Sequence, residues 1–403
     1  MTHAESEPNK MNPDPIRVPG LMCVPPGGTI GMLGGGQLGR MFAIAAAQLG
    51  YRVIVFSDSP DCPAATVAYQ TIVGELTDRD RIDEFAAQCD VVTLEFENLP
   101  VEAVRHLASR VTVYPTPEVL RIAQDRRYEK QAFADAGLAV TPFHVVESSA
   151  DLRAAVARLG LPLVLKTARD GYDGKGQWKI TSPGDAALAM TIDRPMIAEA
   201  WITHRREVSV VVARDASGHT ACFPVFENVH RNHILDVTTC PANLSIDEND
   251  AAIRMATAAA AAIDLVGLMC VEMFQGENGD LMINEVAPRP HNSGHLTIEA
   301  CVTSQFEQHV RVVCGMPLGD TTMRVPAAAM VNLMGELWAG GEPDFGVVMA
   351  KPGMHLHLYD KGRAATGRKM GHVTATGGDA AAIATELVAT RDSMQTARER
   401  QLA

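Results

Sequence analysis

The sequence is poor in aromatic residues and contains no hydrophobic run long enough to cross a membrane. Phe, Trp and Tyr make up 5% of the 403 residues, and no apolar run approaches the roughly 18 residues of a transmembrane helix. An excess of positive charge is also missing, since the net charge is −13. Nonspecific binding to nucleic acid or to a membrane surface needs a basic face. We therefore expect neither among the partners, and an anionic ligand would need a local basic patch.

Closely paired cysteines are missing as well. The eight cysteines are scattered without a CxxC pair, which is unlike a disulfide framework or a zinc site. Several lie in apolar runs, where a buried free thiol is the ordinary state. Because free thiols persist in a reducing compartment, this pattern predicts a cytoplasmic protein. The N-terminus shows no basic-then-apolar secretion signal, and we predict a flexible leader over residues 1–28.

The remaining composition is that of a globular protein with more than one domain. It is 47% hydrophobic and 21% charged, and 403 residues exceed one ordinary core. Strand and helix patterns alternate up to Pro115 and Pro117, which predicts an N-terminal doubly wound parallel sheet. The predicted domains are 29–117, 118–317 and 318–390, followed by a charged tail over 391–403.

A glycine-rich turn follows the first predicted strand, Thr29 to Leu33. Gly34, Gly36 and Gly39 match the GxGxxG pattern, and Asp58 follows the next strand at the distance of a ribose-binding acid. Two interpretations stay open: a dinucleotide-binding turn, or a tight strand-to-helix turn of any doubly wound unit. The first would make the protein a nicotinamide-dependent dehydrogenase.

The next segment places basic residues around a second glycine-rich loop. We predict one helix from Glu118 to Gly137, which carries Arg126, and an apolar strand from Pro162 to Thr167, which carries Lys166. The stretch DGYDGKGQWK follows from Asp170 to Lys179. Glycines let backbone N–H groups converge on phosphate, and lysine adds positive charge. The loop lacks the GK[ST] ending of a Walker A motif, and a plain flexible hairpin is the alternative.

A further strand is predicted from Met196 to Ile202. Its edge could offer backbone groups to an adenine ring, although an ordinary edge strand would show the same pattern.

The most informative stretch is a predicted hairpin with opposed glutamates. Two apolar runs, Met269 to Phe274 and Leu281 to Val286, flank Asn278-Gly279, the strongest signal for a type I′ turn. Counting back from this turn places Glu272 opposite Glu285, where like charges repel unless a cation or a shared proton offsets them. Hard oxygen ligands favour Mg²⁺ over zinc. A one-residue register slip, or two glutamates facing solvent, is the alternative.

A basic cluster stands near the C-terminus of this acidic chain. The run KGRAATGRK contains Lys361, Arg363, Arg368 and Lys369. It predicts a site for a monophosphate, and a solvated turn is the alternative.

Together these motifs resemble the ATP-grasp enzymes from Thr29 to about Leu387. Within that superfamily the chain is similar to the family of 5-(carboxyamino)imidazole ribonucleotide synthases. The resemblance rests on GGGQLGRM, EFEN, GYDGKGQ, NEVAPRPHNSGH, TSQFEQH and GRKMGH, and the run through Arg289 to His295 is its most specific part. It implies an α/β ATP-grasp fold of three domains, the first of them Rossmann-like.

The resemblance also implies ATP as co-substrate, Mg²⁺ as cofactor, and a role for each matching residue. The ATP phosphates would be bound by Arg126, Lys166, Gly171, Tyr172, Asp173, Gly174, Lys175, Gly176 and Gln177. The adenosine would be bound by Glu199, Ala200, Trp201, Ile202 and Glu207, with His230 near it. Mg²⁺ would be held by Glu272 and Glu285, with Asn284 beside them. The carboxylation side would comprise Gln37, Tyr172, Asp173, Arg289, His291, Asn292 and Ser293, and the ribotide 5′-phosphate would be bound by Lys361, Arg368 and Lys369.

The implied reaction is the ATP-dependent carboxylation of 5-aminoimidazole ribonucleotide with bicarbonate, through carboxyphosphate, in de novo purine biosynthesis. Lys166 and Arg289 would neutralise charge during phosphoryl transfer, and Asp173 would orient the amine or take its proton. A cytoplasmic homodimer is the implied assembly.

Three other functions compete with this one. Another ATP-grasp ligase, acting on formate or biotin, would share the nucleotide motifs. A dehydrogenase would leave the paired glutamates and the Gly/Lys loop unexplained. A nucleotide-binding regulatory protein without turnover would have no use for the full set of charged residues.

Overall fold

The protein is described here from a computed structural model. The structure describes residues 23–171, 174–182, 184–185 and 194–394. Tyr172 and Asp173, which the sequence places in the site, lie outside these residues, as do residues 1–22 of the predicted leader and 395–403 of the predicted tail.

The described residues form seventeen strands and eleven α-helices. The strands are β1 (Thr29–Leu33), β2 (Arg52–Ser57), β3 (Gln70–Val73), β4 (Val91–Leu94), β5 (Phe143–Val146), β6 (Leu163–Thr167), β7 (Gln177–Ile180), β8 (Met196–Ala200), β9 (His204–Arg214), β10 (Thr220–Cys222), β11 (Phe226–Arg231), β12 (Ile234–Cys240), β13 (Gly267–Gly276), β14 (Leu281–Ala287), β15 (Ala327–Met334), β16 (Met354–Leu358) and β17 (Lys369–Gly377). The helices are α1 (Gln37–Gln48), α2 (Arg79–Ala86), α3 (Val101–Ala108), α4 (Pro117–Ala123), α5 (Arg126–Asp135), α6 (Ser149–Leu159), α7 (Ile246–Ala262), α8 (Thr297–Ala300), α9 (Gln305–Val313), α10 (Gly346–Met349) and α11 (Ala380–Asp392). Two 3₁₀ helices, Asn292–Leu296 and Gly335–Trp338, complete the list.

The N-terminal sheet is parallel, with strand order β3-β2-β1-β4. Its strands are apolar on both faces: Ile30 packs with Phe42 of α1, whereas Leu33 packs with Phe85 of α2 and Leu107 of α3. Helices on both faces of a parallel sheet make this the doubly wound unit that the sequence predicts.

Two further sheets form the rest of the molecule. A small antiparallel sheet has the order β5-β8-β6-β7, and a large one has the order β14-β13-β9-β11-β12-β15-β17-β16, with β10 paired to β9. The fold class is therefore mixed α/β with the ATP-grasp arrangement that the sequence predicts.

The three parts of the chain share cores and hydrogen bonds. Strands β15, β16 and β17, from the predicted third domain, continue the large sheet through pairing of β12 with β15. The N-terminal unit packs on α9, where Phe42 meets Phe306 and Val310 in one buried cluster. These shared contacts hold the ends of all three sheets around one cavity.

The described ends of the predicted leader and tail are packed. Val24 is buried, its N–H donates to the Cys314 carbonyl at 2.9 Å, and its own carbonyl accepts from the Tyr51 hydroxyl at 2.8 Å. At the other end Arg391 and Met394 are buried. Flexibility of the leader and tail therefore stays a prediction only for the residues outside the described part.

The single helix predicted from Glu118 to Gly137 is wrong. The chain breaks between α4 and α5 because Asp125 has extended backbone angles and caps α5, with its carboxylate accepting from Arg127 N at 3.1 Å. In the folded protein this buried cap overrides the helix propensity of the surrounding window. The break makes Arg126 the first residue of α5, where its side chain reaches the cavity.

Candidate active site

The candidate site is a cavity of about 840 Å³ at the meeting point of the three sheets. Residues of the N-terminal unit, the small sheet and the large sheet all line it. Of the described residues that the sequence assigned to the site, all line the cavity except Ser293, Lys361 and Arg368.

The paired glutamates lie as predicted, although the turn that leads to them does not. Glu272 of β13 is directly opposite Glu285 of β14. At the turn, only Gly279 has a positive φ, of 88°, so Asn278-Gly279 is not a type I′ turn. The near-turn pairing, Gln275 with Leu281, is offset by one residue from the count, and a bulge between Glu272 and Met273 restores the register.

Each of these carboxylates has a cationic or hydrogen-bonding neighbour. Arg126 donates to Glu285 at 2.8 Å, and His291 Nε2 lies 3.3 Å from Glu272. Burial alone would raise the pKa of Glu285, but the charges of Arg126 and Lys166 outweigh it and the pKa is lowered. Glu285 is therefore held ionised beside Arg126.

A buried charge network lies behind Lys166. Its ammonium donates to Glu199 at 3.0 Å, and Glu199 also accepts from the Thr141 hydroxyl at 2.9 Å. Lys130, fully buried, lies 3.5 Å from Glu199 and donates to Thr141 and to the Ile283 carbonyl of the large sheet. Burial would raise the pKa of Glu199, but the two lysines and Arg126 lower it to about 2. The carboxylate of Glu199 thus fixes Lys166, while Lys130 ties the small sheet to the large one.

Glu129 is a second buried carboxyl group at this end of the cavity. Its Oε2 accepts from the Val286 N–H at 3.1 Å, and its Oε1 is buried without a hydrogen-bond partner among the described residues. Burial and the charge of Glu285 raise its pKa to about 8, against the charges of Lys130 and Arg126.

The end of the cavity that the sequence assigns to adenosine is formed where the small sheet passes into the large one. β8 lies between β5 and β6, so the edge strand expected there is wrong; the chain leaves the sheet at Trp201 and Ile202 before β9 begins. Ala200, at the end of β8, and Trp201 and Ile202 of this connection line the cavity. Nearby, Glu207 is 2.8 Å from His230 and 3.2 Å from His204. Burial opposes charge on both groups, but their mutual contact lowers the pKa of Glu207 and raises that of His230.

The N-terminal glycine turn is occupied by a carboxylate from the same domain. Glu95 accepts from the Gly36 and Gly39 N–H groups, the latter at 2.8 Å. A dinucleotide pyrophosphate would need these same N–H groups. Asp58, the candidate ribose ligand, is exposed. Because a carboxylate holds these N–H groups, they are not open to a dinucleotide pyrophosphate, whereas Gln37 at the start of α1 lines the cavity.

The run after β14 brings Arg289, His291 and Asn292 to the cavity wall. Arg289 forms a two-pronged ion pair with Glu97 of the N-terminal unit, with Nη2 to Oε1 at 2.9 Å. Both polar atoms of the Asn292 side chain are buried and have no hydrogen-bond partner within the described part of the chain, which suits a polar ligand at this wall. Ser293 is buried behind His291, and a hydrogen bond of 2.8 Å joins its hydroxyl oxygen to Nδ1 of the histidine ring. Ser293 therefore supports the ring instead of lining the cavity.

The three basic residues assigned to the 5′-phosphate differ in position. Lys369, at the start of β17, lines the cavity. Lys361 is half-buried. Burial raises the pKa of Glu95, and the charge of Lys361 opposes part of that rise. Arg368 is exposed, and its guanidinium donates to the Arg363 carbonyl at 3.0 Å.

Among the residues that sequence reasoning did not assign to the site are Glu97, Glu129 and His233, which line the cavity, and Lys130, which is buried behind it. Glu97 stands in the EFEN motif, which marks the position without giving its partner. Glu129 and Lys130 look like ordinary surface residues of a helix, because their burial depends on β14 packing against α5. The sequence gives no sign of a role for His233, because what distinguishes this residue is its backbone conformation.

The oxygen donors at Glu272, Asn284 and Glu285 suit a metal ion that is bound together with phosphate. Within the described part of the chain, no cluster of three or more His, Cys, Asp or Glu side chains could hold a metal ion alone. Mg²⁺ at nucleotide sites is commonly held by one or two carboxylates together with phosphate oxygens and water. Glu272, Glu285 and the neighbouring Asn284 fit that mode.

No helix among the described residues has the length and apolar character of a membrane span.

Three family models match the chain in order. They are the ribonucleotide synthetase preATP-grasp domain over residues 28–124, the ATP-grasp domain over 131–306, and the phosphoribosylaminoimidazole carboxylase C-terminal domain over 328–386.

Full-length comparisons give the same family. A bifunctional purine synthesis protein of Dictyostelium discoideum is 45% identical over 88% of this chain, which spans 38% of that protein's length. The N5-carboxyaminoimidazole ribonucleotide synthase of Brucella melitensis is 44% identical, with 87% of this chain and 96% of that protein covered. The crystal structure of N5-carboxyaminoimidazole synthase from Aspergillus clavatus with ADP and 5-aminoimidazole ribonucleotide is 32% identical and has a TM-score of 0.83, covering 91% of this chain and 98% of that one. The chain therefore belongs to the N5-carboxyaminoimidazole ribonucleotide synthase family of ATP-grasp enzymes.

Proposed function

We propose that this cavity carboxylates 5-aminoimidazole ribonucleotide with bicarbonate, using ATP, in purine biosynthesis. The observation that carries the proposal is that one cavity joins a nucleotide-type set, Arg126, Lys166 and Glu285, to Gln37 and Lys369 from the other two parts of the chain. Two anionic substrates can therefore meet there. The Aspergillus clavatus relative is described with ADP and this ribotide bound, which supports the assignment.

The first step is phosphoryl transfer to bicarbonate. A bicarbonate oxygen attacks the γ-phosphorus of ATP, ADP leaves, and carboxyphosphate forms. The reaction depends mainly on positioning and on neutralising charge. Lys166 is held by Glu199 at 3.0 Å and Arg289 by Glu97 at 2.9 Å, so both cations are positioned before the substrates bind.

Mg²⁺ belongs to this proposal. Glu272 and Glu285, with Asn284 beside them, would hold it, and when bound it supplies positive charge to the phosphate oxygens. Their opposed placement across β13 and β14 supports this assignment, because two like charges at that spacing favour a cation between them.

In the second step the exocyclic amine of the ribotide attacks the carboxyl carbon of carboxyphosphate. Phosphate leaves and the amine loses a proton. The glycine-rich loop, described at Gly171 and from Gly174 to Gln177, lines the cavity and would exclude water from the labile intermediate. Asp173, our candidate for orienting the amine or taking its proton, lies outside the described residues, so its role stays a prediction. Asn292 would bind the bicarbonate-derived group.

A cytoplasmic homodimer is part of the same proposal. Eight free cysteines support a reducing compartment. The dimer follows from the resemblance alone, and the mass of the native particle in solution tests it.

The decisive experiment measures ADP release with each substrate left out in turn. We expect slow release with ATP and Mg²⁺ alone, and a strong rise when the ribotide and bicarbonate are both present. Labelled bicarbonate should enter an acid-labile product, since a carboxylated amine loses carbon dioxide on protonation. Stimulation by the ribotide that persists after rigorous removal of bicarbonate, with no label trapped, would overturn the proposal. Replacing the ribotide with glycinamide ribonucleotide plus formate, or with biotin, separates the other ATP-grasp ligases.

A further inference from the structure

The turn between β11 and β12 contains two consecutive non-glycine residues in the left-handed region. Arg231 pairs with Ile234 across the hairpin, and the two residues between them, Asn232 and His233, have φ values of 52° and 66°. This is the two-residue turn that strongly favours Asn-Gly, because both central residues need positive φ. A histidine at the second position carries a steric cost that glycine would not, of about 1 kcal/mol.

His233 differs from Asn232 in what it contacts. Its side chain packs directly on Gly174 of the glycine-rich loop: a Cβ placed on Gly174 would lie 2.6 Å from His233 Cβ and 2.9 Å from Cγ. Gly174 and His233 both line the cavity, and Asn232 does not. The contact joins the tip of a large-sheet hairpin to a loop of the small sheet, and residues of both sheets line the cavity.

We propose that His233 is a positioning residue of the nucleotide site, whose ring seats on Gly174 and holds the glycine-rich loop over the nucleotide phosphates. The proposal rests on the proposed function only in placing a nucleotide in this cavity. Backbone outliers concentrate where surrounding structure needs them, and here the left-handed backbone aims the ring at Gly174, a loop position where no Cβ fits. His230, three residues earlier, is already held by Glu207 at 2.8 Å, so the same hairpin contributes to the cavity twice.

The test separates this contact from a purely structural role. His233→Gly relieves the backbone but removes the ring, so its melting temperature should rise while the Kd for ADP, measured by calorimetry, increases about tenfold. Asn232→Gly is the matched control: it changes the same turn outside the cavity and should keep wild-type affinity. His233→Asn keeps a residue that tolerates positive φ and should weaken ADP binding as His233→Gly does.

A double-mutant cycle tests the partner of the ring. Gly174→Ala should weaken ADP binding less in the His233→Gly protein than in the wild type, because the added methyl group then meets no ring. Unchanged ADP affinity in His233→Gly, equal losses in His233→Gly and Asn232→Gly, or a lower melting temperature in His233→Gly would each overturn the proposal. Wild-type protein that fails to bind ADP would overturn it too. If ADP binds but the ribotide is not carboxylated, the proposed reaction fails and the role of His233 stands.

Discussion

Among single residues, Arg126 and Glu285 define how the cavity balances its charge. The guanidinium of Arg126 donates to Glu285 at 2.8 Å and to the Gly171 carbonyl at 3.2 Å. Burial would lower the pKa of Arg126, but Glu285, Glu129 and Glu199 raise it. Arg126 is therefore a buried cation held among three carboxylates, one of which, Glu285, is a proposed Mg²⁺ ligand.

Glu285→Gln should leave the fold intact and reduce ATP turnover by about 100-fold or more. The amide keeps the size of the side chain but loses the charge needed for the cation, while Arg126 retains the Gly171 carbonyl as an acceptor. Steady-state ADP release at several Mg²⁺ concentrations measures the effect.

Glu277→Gln is the control for that variant. Glu277 is an exposed carboxylate at the turn of the same hairpin, so wild-type turnover is expected. Wild-type turnover and Mg²⁺ dependence in Glu285→Gln would place the metal elsewhere.

Among the secondary-structure elements, α5 determines the position of Arg126, which the sequence assigns to the ATP phosphates. Asp125 caps this helix and accepts from Arg127 Nη2 at 2.9 Å and from Arg169 Nε at 3.1 Å. Burial would raise the pKa of Asp125, but these hydrogen bonds lower it below its ordinary value. The cap therefore fixes the helix end that presents Arg126 to the cavity.

Asp125→Asn should lower the free energy of unfolding at neutral pH, because it keeps the cap but loses the ionic partners. Since the folded pKa of Asp125 lies below the unfolded value of about 3.9, its stabilisation is complete above that pH and is lost as the pH falls through the folded pKa. The difference in the free energy of unfolding between Asp125→Asn and the wild type should therefore become smaller in acid. Asp125→Ala should lose about 1 kcal/mol more through the cap and raise the KM for ATP.

Urea unfolding over a pH series measures both variants of Asp125. Glu118→Gln is the comparison, because Glu118 is an exposed partner of Arg121 on the preceding helix and exposed pairs contribute little. If the difference in the free energy of unfolding between Asp125→Asn and the wild type became larger in acid, the pKa argument would be contradicted.

The elements also show which features local pattern can predict. The doubly wound sheet and the opposed glutamates were predictable because alternation and apolar runs are local. The conformation of the turn at Asn278-Gly279 was not predictable. The bulge between Glu272 and Met273 compensates for the one-residue offset near the turn, so Glu272 still pairs with Glu285. The break at Asp125 was hidden because a cap residue inside a good helical window shows its role only when its partners, such as Arg169, are in place.

For the molecule as a whole, the cavity depends on contacts that the sequence does not encode locally. The third predicted segment adds β15, β16 and β17 to the large sheet, which brings Lys369 to the same cavity as Gln37. The ion pair between Glu97 and Arg289 likewise spans two parts of the chain. The sequence assigned half of the lining residues to the site. Partners such as Lys130 became visible only through tertiary packing, because burial, not residue type, gives them a role.

Lys369→Ala should raise the KM for the ribotide about 10- to 100-fold, the range for losing one charge-assisted hydrogen bond, and leave the KM for ATP nearly unchanged. Lys369 lines the cavity at the start of β17, on a different strand from the nucleotide-side residues of β6, β8 and β14.

Arg368→Ala is the matched comparison, because the neighbouring guanidinium is exposed and does not line the cavity. Its effect on the ribotide KM should be much smaller if the 5′-phosphate is bound inside the cavity. Initial rates with each substrate varied in turn give both constants. Equal effects of the two substitutions would place the phosphate at the cavity rim instead, and a rise in the ATP KM alone for Lys369→Ala would remove Lys369 from the ribotide site.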